Sequence, residues 1–470
     1  MKNVPLFGCL ALLTLLFGPL TAQAGPQAQV DCSYSHTLGD DPIMMFGKPN
    51  QAMIHDFYGN EHTDAWSDYV SLRTKSETTC DNQADATGYW TPALRLPSGE
   101  VVHPAYQKTY YQATSTVNNP LTAFPPGLQL LAGNHHGSSP NPYVNFLCAN
   151  GKGYTHEVGE VCGLRSTGDA VQFNIAIQFP DCWDGTTLAP MKGMPNAVYD
   201  VDGTCPANYP VKIPTVNLNA AWVLPQITSL DTAQVSLSMD PIMEGNQRIE
   251  QWGSLYTAHA DFMNGWAPRA AEFMVSQCMN LDMDCGTNVA YDWTNAQDTY
   301  VDSTHPDDNF SASQQLLVQD DWSGQGRNTH PQIMTLVKFS IPPLPKNLSP
   351  EEDALYTYQL RTFGGKNEHN GSDQIFFYPT STDWNVDTVN WNNRPACNYS
   401  SDAILYLDDA KTYRYVNVDQ VVRDALAQGQ TEVAWFIGGD RKGDTFTFNS
   451  AETSENFILM LKGYQHVPEN

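Results

Sequence analysis

The chain has 470 residues, and its 51 acidic and 24 basic residues give a net charge of −27 at pH 7. A charge of this sign repels nucleic-acid phosphates and anionic lipids, so we expect neither as a partner. Hydrophobic residues make up 41%, charged residues 16% and aromatic residues 11%, with 33 Gly and 31 Pro, which excludes a coiled coil or a collagen and favours a globular β-rich protein.

The first 24 residues have the pattern of a secretory signal peptide. Lys2 is followed by an apolar run over residues 4–20 and by Ala22-Gln23-Ala24, a small-residue cleavage site before Gly25. We therefore expect a secreted, extracellular protein, or a periplasmic one if the source is bacterial. No later window is apolar over the length of a membrane helix, so we expect no membrane span.

The cysteines indicate disulfides, as is usual for an exported protein. Of the ten cysteines, all but Cys9 and Cys397 lie between residues 32 and 285. Their number leaves many connectivities open, and the simplest hypothesis joins near neighbours. Those pairs are Cys32–Cys80, Cys148–Cys162, Cys182–Cys205 and Cys278–Cys285. The absence of a CxxC pair and of a Cys/His cluster in the sequence disfavours zinc.

Secondary-structure patterns predict many short strands and few short helices. Residues 171–179 (VQFNIAIQF) alternate with period two, and residues 211–222 contain strand-like runs broken by Pro214. Similar apolar runs occur at 336–341, 375–378, 433–437 and 457–461, and helical spacing occurs at 270–278 and 419–427. We therefore predict a mainly β protein with two antiparallel β-sandwich or jelly-roll domains.

A polar stretch near residue 300 divides the chain. We predict a signal peptide at 1–24, a disulfide-containing β-rich domain at 25–295 as the candidate catalytic unit, a linker at 296–304 and a second domain at 305–470.

Aromatic, histidine and acidic residues recur in short motifs along the first region. HDFYGN (55–60), GYWTPAL (88–94), FPDCWDG (179–185) and HADFMNGW (259–266) occur in this order. Over residues 36–285 the chain resembles a secreted domain of unknown function that is common in fungi, often beside WSC modules, and also present in bacteria. Its relatives usually have a second histidine where this chain has Met53, and further histidines after CWDG. The resemblance implies no reaction.

These motifs supply the candidate site. Histidine beside a carboxylate is the usual arrangement of a general base, and glycoside hydrolysis uses two carboxylates. β-Elimination from a uronate instead needs a base and an Arg, Asn or Gln beside the enediolate. We predict His55, His259, Asp261 and Arg165 as catalytic residues. The predicted substrate-binding residues are Tyr58, Asn60, Trp90, Trp183, Asp184, Asn264 and Trp266. For each residue alone, a structural role in a turn or the core is the alternative.

The second region resembles DNRLRE-type carbohydrate-binding modules. The resemblance rests on residues 383–395 (DWNVDTVNWNNRP), on LVKFSI (336–341) upstream, and on VNVDQVV (416–422) downstream. It implies a jelly roll that accompanies polysaccharide-degrading enzymes or surface proteins. Aromatic residues available for a sugar ring are Trp322, Trp384, Trp391, Tyr413 and Trp435, although we favour a core role for Trp384 and Trp391.

Together these features predict a secreted polysaccharide-active protein. The sequence leaves open whether it is an enzyme, and the His/Asp motifs favour a polysaccharide lyase or glycoside hydrolase. The alternatives are a non-catalytic glycan-binding or adhesion protein and a structural surface protein. We expect a monomer with polysaccharide as partner and no required cofactor. We assign no metal-binding residues, but the acidic pairs at 307–308, 320–321 and 408–409 are candidates for structural calcium.

Overall fold

The computed structural model describes residues 25–113, 120–245, 247–321, 332–439 and 442–467. The predicted signal peptide and Trp322 lie outside these ranges.

Strands dominate the described part of the chain, which is 43% strand and 9% helix. The strands before residue 290 are β1 (Gln27–Leu38), β2 (His55–Gly59), β3 (Gly88–Pro92), β4 (Leu94–Arg95), β5 (Val101–Val102), β6 (Tyr106–Gln112), β7 (Gln129–Gly133), β8 (Val144–Cys148), β9 (Val161–Cys162), β10 (Val171–Gln178), β11 (Cys182–Trp183), β12 (Ala197–Val198), β13 (Val211–Lys212), β14 (Thr215–Leu224), β15 (Leu230–Asp231), β16 (Ser236–Glu244), β17 (Gln247–Ser254) and β18 (His259–Met263). Those after it are β19 (Asp292–Asn295), β20 (Gln297–Asp302), β21 (Gln315–Asp321), β22 (Gln332–Ser340), β23 (Tyr356–Lys366), β24 (Asp373–Thr380), β25 (Ala403–Leu407), β26 (Thr412–Asn417), β27 (Glu432–Gly439), β28 (Lys442–Asn449) and β29 (Ile458–Gly463). The helices are α1 (Tyr69–Thr74), α2 (Pro268–Ser276), α3 (Pro350–Asp353) and α4 (Asp419–Ala427), with 3₁₀ turns at Thr232–Gln234, Leu255–Thr257 and Met279–Leu281. The mainly β prediction with few short helices is confirmed.

The period-two pattern located individual strands correctly. The run at 171–179 is β10, and Pro214, which has no N–H to donate, separates β13 from β14. The helical pattern at 419–427 is α4.

The first region is built on one sheet that folds over on itself. Its strand order is β7-β18-β3-β2-β1-β6-β14-β10-β8, and all its pairs are antiparallel. Strand β1 belongs to both halves, because it pairs with β6 up to Ser33 and with β2 from Tyr34 onward, with a bulge between Tyr34 and His36. A bulge bends the strand at such a point. The half-sheet β7-β18-β3-β2 then lies opposite β6-β14-β10-β8.

The main core lies between these halves. Phe262 of β18 contacts Phe179, which follows β10, with ring centroids 6.2 Å apart. Each strand therefore has one face toward this core and one face away from it. The outward face of β18 and the outward face of β6 point in different directions, with the core between them.

The second region is an eleven-stranded antiparallel sheet within the described residues. Its first strand, β19, pairs with the last, β29, and β20 pairs with β22. The predicted linker at 296–304 therefore contains a strand of this sheet, and the polar side chains of that stretch did not reveal it.

The two regions share core contacts. Trp293 of β19 packs with Ile458 and Met460 of β29 against the core of the first region. The fully buried Arg361 of β23 donates to the backbone and side-chain oxygens of Gln277, at 2.7 and 2.6 Å.

All four near-neighbour disulfides are present: Cys32–Cys80, Cys148–Cys162, Cys182–Cys205 and Cys278–Cys285. Cys397 belongs to none of them. Four disulfides fit an extracellular protein.

Removing Cys32–Cys80 by a double Cys→Ala change is expected to lower the free energy of unfolding by about 4 kcal/mol, against about 2 kcal/mol for the same change at Cys278–Cys285. The first bond spans 48 residues of sequence and the second spans 7, so the first restricts the unfolded chain more. Urea unfolding of both double variants measures the difference. Equal losses would contradict this explanation.

Candidate functional site

Three titratable side chains converge on the outward face of the first half-sheet. His259 and Asp261 alternate along β18 with Ala260 and Phe262, which belong to the main core. They therefore share the opposite face with His55 of β2. One ligand-type atom from each of the three side chains lies within 4.8 Å of the others. The two imidazole centroids are 5.8 Å apart, and the rings are nearly perpendicular.

Backbone carbonyls orient both imidazole rings. The Nδ1 atom of His55 lies 2.9 Å from the Asp40 carbonyl oxygen, and the Nδ1 atom of His259 lies 2.9 Å from the Thr257 carbonyl oxygen. A carbonyl oxygen only accepts, so each Nδ1 carries the hydrogen and each Nε2 carries a lone pair. His55 Nε2 and Asp261 Oδ2 are buried without a hydrogen-bond partner among the described residues.

Burial controls the charges of this cluster. Desolvation lowers the pKa of His55 to about 4 and the pKa of His259 to about 3, and it raises the pKa of Asp261 well above its usual value. His55 is 1% exposed and His259 is 9% exposed, so both imidazoles are nearly closed to solvent. The catalytic role predicted for them stays a prediction, and direct contact with a polysaccharide is not supported.

Arg165 lies in a different part of the fold. It precedes β10, and its guanidinium forms a bidentate ion pair with Asp169 at 2.7 and 2.6 Å. The guanidinium of Arg165, a predicted catalytic residue, is thus paired with a carboxylate four residues away.

The aromatic residues predicted to bind substrate pack the interior instead. Tyr58, Trp90 and Trp266 are at most 1% exposed, and Trp183 is 9% exposed. The Trp266 indole donates to the Tyr111 hydroxyl at 2.8 Å. Rings with both faces covered have no surface for a sugar, and the sequence motifs do not distinguish such rings from exposed ones.

The polar residues predicted to bind substrate hold loops together. Asn60 donates to the Lys75 carbonyl at 2.6 Å, and Asn264 donates to the Pro125 carbonyl at 2.9 Å. Asp184 accepts from the Thr187 backbone N–H at 2.7 Å, which closes the turn after Cys182. The structural alternative for Asp184 agrees with this contact.

An open groove lies on the outward face of the other half-sheet. Its volume is about 550 Å³. Tyr106, Lys108 and Tyr110 of β6 line it, because they alternate with Gln107, Thr109 and Tyr111, which are fully buried. Across the strands, Lys108 lies between Asp31 of β1 and Asn219 of β14. Ala221 is paired with Tyr106, and Ala176 is paired with Asn219. The small side chains of these alanines leave room for the groove.

The C-terminal end of the second region forms a wall of this groove. Tyr464, His466 and Val467 line it. Gln465 fixes this segment, because its backbone N–H donates to the Asp81 carbonyl at 2.7 Å and its amide donates to the Cys80 carbonyl at 2.7 Å. The groove therefore exists only when both regions are in contact.

Two carboxyl groups in the groove have different environments. Asp31 forms an ion pair with Lys108 at 3.1 Å and is partly exposed. Asp81 is 3% exposed, and desolvation raises its pKa to about 7. Its Oδ1 accepts the Asp31 backbone N–H at 3.2 Å. One carboxylate thus has a cationic partner while its neighbour retains a proton near neutral pH.

The sequence motifs do not point to this groove. The available signal was YQKTYYQ (106–112), where two tyrosines and a lysine share one face of an alternating strand. The acids come from distant segments, and no spacing connects them.

In the second region, the tryptophans of the motif stabilise the fold. Trp384 is 8% exposed within a core cluster, and Trp391 packs against that cluster. Lys338 donates to the Trp384 carbonyl at 2.8 Å, with its ammonium 4.8 Å from the indole. Trp435 is fully buried. The core role that we favoured for Trp384 and Trp391 agrees with this packing.

Among the acidic pairs, Asp408 forms an ion pair with Arg414 at 2.9 Å, and Asp409 pairs with His369. Asp307 accepts from the Asn392 amide at 2.8 Å. Calcium binding at these pairs stays a prediction.

In the part of the chain that the structure describes, no helix combines the length and the apolar character needed to cross a bilayer.

Comparison with known families gives separate matches for the two regions. Residues 41–266 match the family described as Domain of unknown function (DUF1996). Residues 290–463 match Carbohydrate-binding module family 96. No curated protein matches the chain. Both resemblances are confirmed: a region that matches DUF1996 is followed by a region that matches a family 96 carbohydrate-binding module, and the presence of this module supports a carbohydrate-related role.

Proposed function

We propose that this chain is a secreted glycoside hydrolase that acts on a neutral polysaccharide in the groove between β6 and the C-terminal segment. The family 96 module holds the same polymer. The observation that carries the proposal is the pair Asp31 and Asp81 in an open groove lined by tyrosines.

The groove offers the groups that sugars require. Tyrosine rings present flat apolar faces to the C–H side of a pyranose, and fixed amides bond its hydroxyls. Asn219 is held in place by the Tyr154 hydroxyl, which donates to its Oδ1 at 3.3 Å. Tyr106 and Tyr110 are about 13 Å apart along β6, so an extended polymer spans both rings.

The two carboxyl groups match the two roles that glycoside hydrolysis requires, a general acid and a base or nucleophile. Asp81, protonated near neutral pH, serves as general acid toward the glycosidic oxygen. Asp31, ion-paired with Lys108 at 3.1 Å, serves as the base or nucleophile. A raised pKa beside an ion-paired carboxylate is the pattern that separates these roles.

Charge favours hydrolysis over uronate elimination. The groove contains Asp31 and Asp81 but a single lysine, Lys108, and the whole chain carries a net charge of −27. Lys108 is already paired with Asp31, so a polyuronate would find no matching charge on that lysine and would be repelled by the net charge of the chain. The second candidate is a non-catalytic glycan-binding protein, since tyrosines and amides alone suffice for binding.

Incubating the chain from Gly25 onward with neutral and acidic polysaccharides tests the proposal. New reducing ends without ultraviolet absorbance of an unsaturated uronate support a hydrolase. That absorbance would indicate a lyase, and binding without product would indicate the second candidate.

Tyr110→Ala is expected to raise KM on the cleaved polysaccharide about tenfold, because a stacking platform is lost. The matched control is Tyr209→Ala, a tyrosine outside the groove, which should leave KM unchanged. An unchanged KM for Tyr110→Ala would remove the groove from the substrate path.

A further inference from the structure

We propose that His55, His259 and Asp261 bind one divalent transition-metal ion, for which Zn²⁺ is the probe. This site is separate from the proposed glycan groove, since β18 and β6 present these residues on outward faces with the main core between them.

Strand geometry assembles the three side chains. His259 and Asp261 are two residues apart on β18, so they project from the same face, and β2 adds His55 from the same half-sheet. One nitrogen or oxygen from each lies within 4.8 Å of the others, a spacing that a single ion bridges with small side-chain adjustments.

The rings have the outer contacts of metal-binding histidines. Such a histidine almost always donates its other ring N–H to a carbonyl or carboxylate, which fixes the tautomer and points the lone pair at the metal. Both His55 and His259 do so, through Nδ1 to the carbonyls of Asp40 and Thr257.

Two buried acceptor atoms in the cluster favour the binding of a cation. His55 Nε2 and Asp261 Oδ2 have no hydrogen-bond partner among the described residues, although buried polar atoms are nearly always bonded. A lone pair and a carboxylate oxygen do not satisfy each other, whereas a metal ion satisfies both.

The rim of the cluster provides an entry side. Gly133 ends β7 with φ of +84°, and a Cβ there would lie 2.3 Å from the Ala258 carbonyl oxygen. The exposed His135, two residues further along the chain, has its ring centroid 5.9 Å from that of His259.

The donor set selects the class of metal. Two imidazoles and one carboxylate suit Zn²⁺ and its transition-metal neighbours, whereas Ca²⁺ and Mg²⁺ prefer oxygen ligands. Three protein donors leave a coordination position for water or His135.

The test is calorimetric titration of Zn²⁺ into the chelator-treated full chain, with Co²⁺ absorption as a second readout of nitrogen ligation. We expect one bound ion per chain and a rise in Tm. Asp261→Asn and His259→Gln should each weaken Zn²⁺ binding at least 10- to 100-fold. Removing a residue that only hydrogen-bonds to a metal ligand typically costs that much affinity. Asp261→Asn retains the shape of the side chain and guards against loss of folding.

The matched control is His156→Gln. His156 also has Nδ1 on a backbone carbonyl, that of Val144 at 2.7 Å, but it is not part of the cluster, so binding should be unchanged. Absence of binding for Zn²⁺, Co²⁺, Mn²⁺ and Cu²⁺ would overturn the proposal in favour of a protonated Asp261 or a buried water. Unchanged binding in both cluster variants would overturn it in favour of an adventitious surface site.

Discussion

An Asp81→Asn variant is expected to lose about 100-fold or more of kcat, because the amide has no proton to give to the leaving oxygen. Folding should be retained, since the asparagine oxygen still accepts the Asp31 backbone N–H that Asp81 accepts at 3.2 Å. The measurement is the release of reducing ends at saturating polysaccharide.

The pH dependence of the unaltered chain tests the same role. Desolvation raises the pKa of Asp81 to about 7, so the acid form predominates below that pH. Activity should fall as pH rises through about 7. The residual activity of Asp81→Asn should not show this fall.

Asp298→Asn is the matched control for Asp81. Asp298 is also buried, with a pKa raised to about 7 by desolvation, and it accepts the Ala451 backbone N–H at 2.9 Å. It lies on β20, outside the groove. If both variants lose activity equally, the effect of Asp81→Asn is structural and the general-acid assignment fails.

Replacing Lys212 with methionine is expected to cost about 3–5 kcal/mol of unfolding free energy, because it leaves buried carboxylate charge without its cation. Lys212 is 8% exposed, and its Nζ lies 2.7 Å from Asp181 and 2.5 Å from Asp200. Asp181 also accepts the Thr215 hydroxyl at 2.7 Å. These four residues join the loop around Cys182 to β14, so that loop should loosen first.

The midpoint of urea unfolding measures this loss. Arg165→Met is the control, since it breaks the exposed ion pair with Asp169 and should change the midpoint little. A Lys212→Met midpoint equal to that of the control would show that the buried network contributes no net stability.

Local sequence patterns predicted the elements well. Alternation along β10 and helical spacing along α4 identified both, since each pattern needs only one buried face. Near-neighbour pairing of the cysteines was also correct, and three of the four bonds join cysteines 23 or fewer residues apart. The segment at 297–302 escaped prediction, since β20 is polar and gains its pairing from β22.

The candidate site was harder to predict. Trp90 and Trp266 have the same residue type and motif context as a sugar platform, yet distant segments cover both. The structure brings His55 and His259 together, with ring centroids 5.8 Å apart, but their burial was not visible from spacing.

From the sequence alone follows the β class, because it depends on patterns that are local along the chain. The division into two regions and the carbohydrate connection follow from the two family resemblances, whereas the cysteine pairing was one hypothesis among many that the sequence left open. Only the tertiary structure decided which side chains meet a ligand. Exposure is set by what packs over a strand face, and the layers over β6 and β18 come from residues up to several hundred positions away. The groove with Asp31 and Asp81 and the cluster with His55 and Asp261 both arise from that packing.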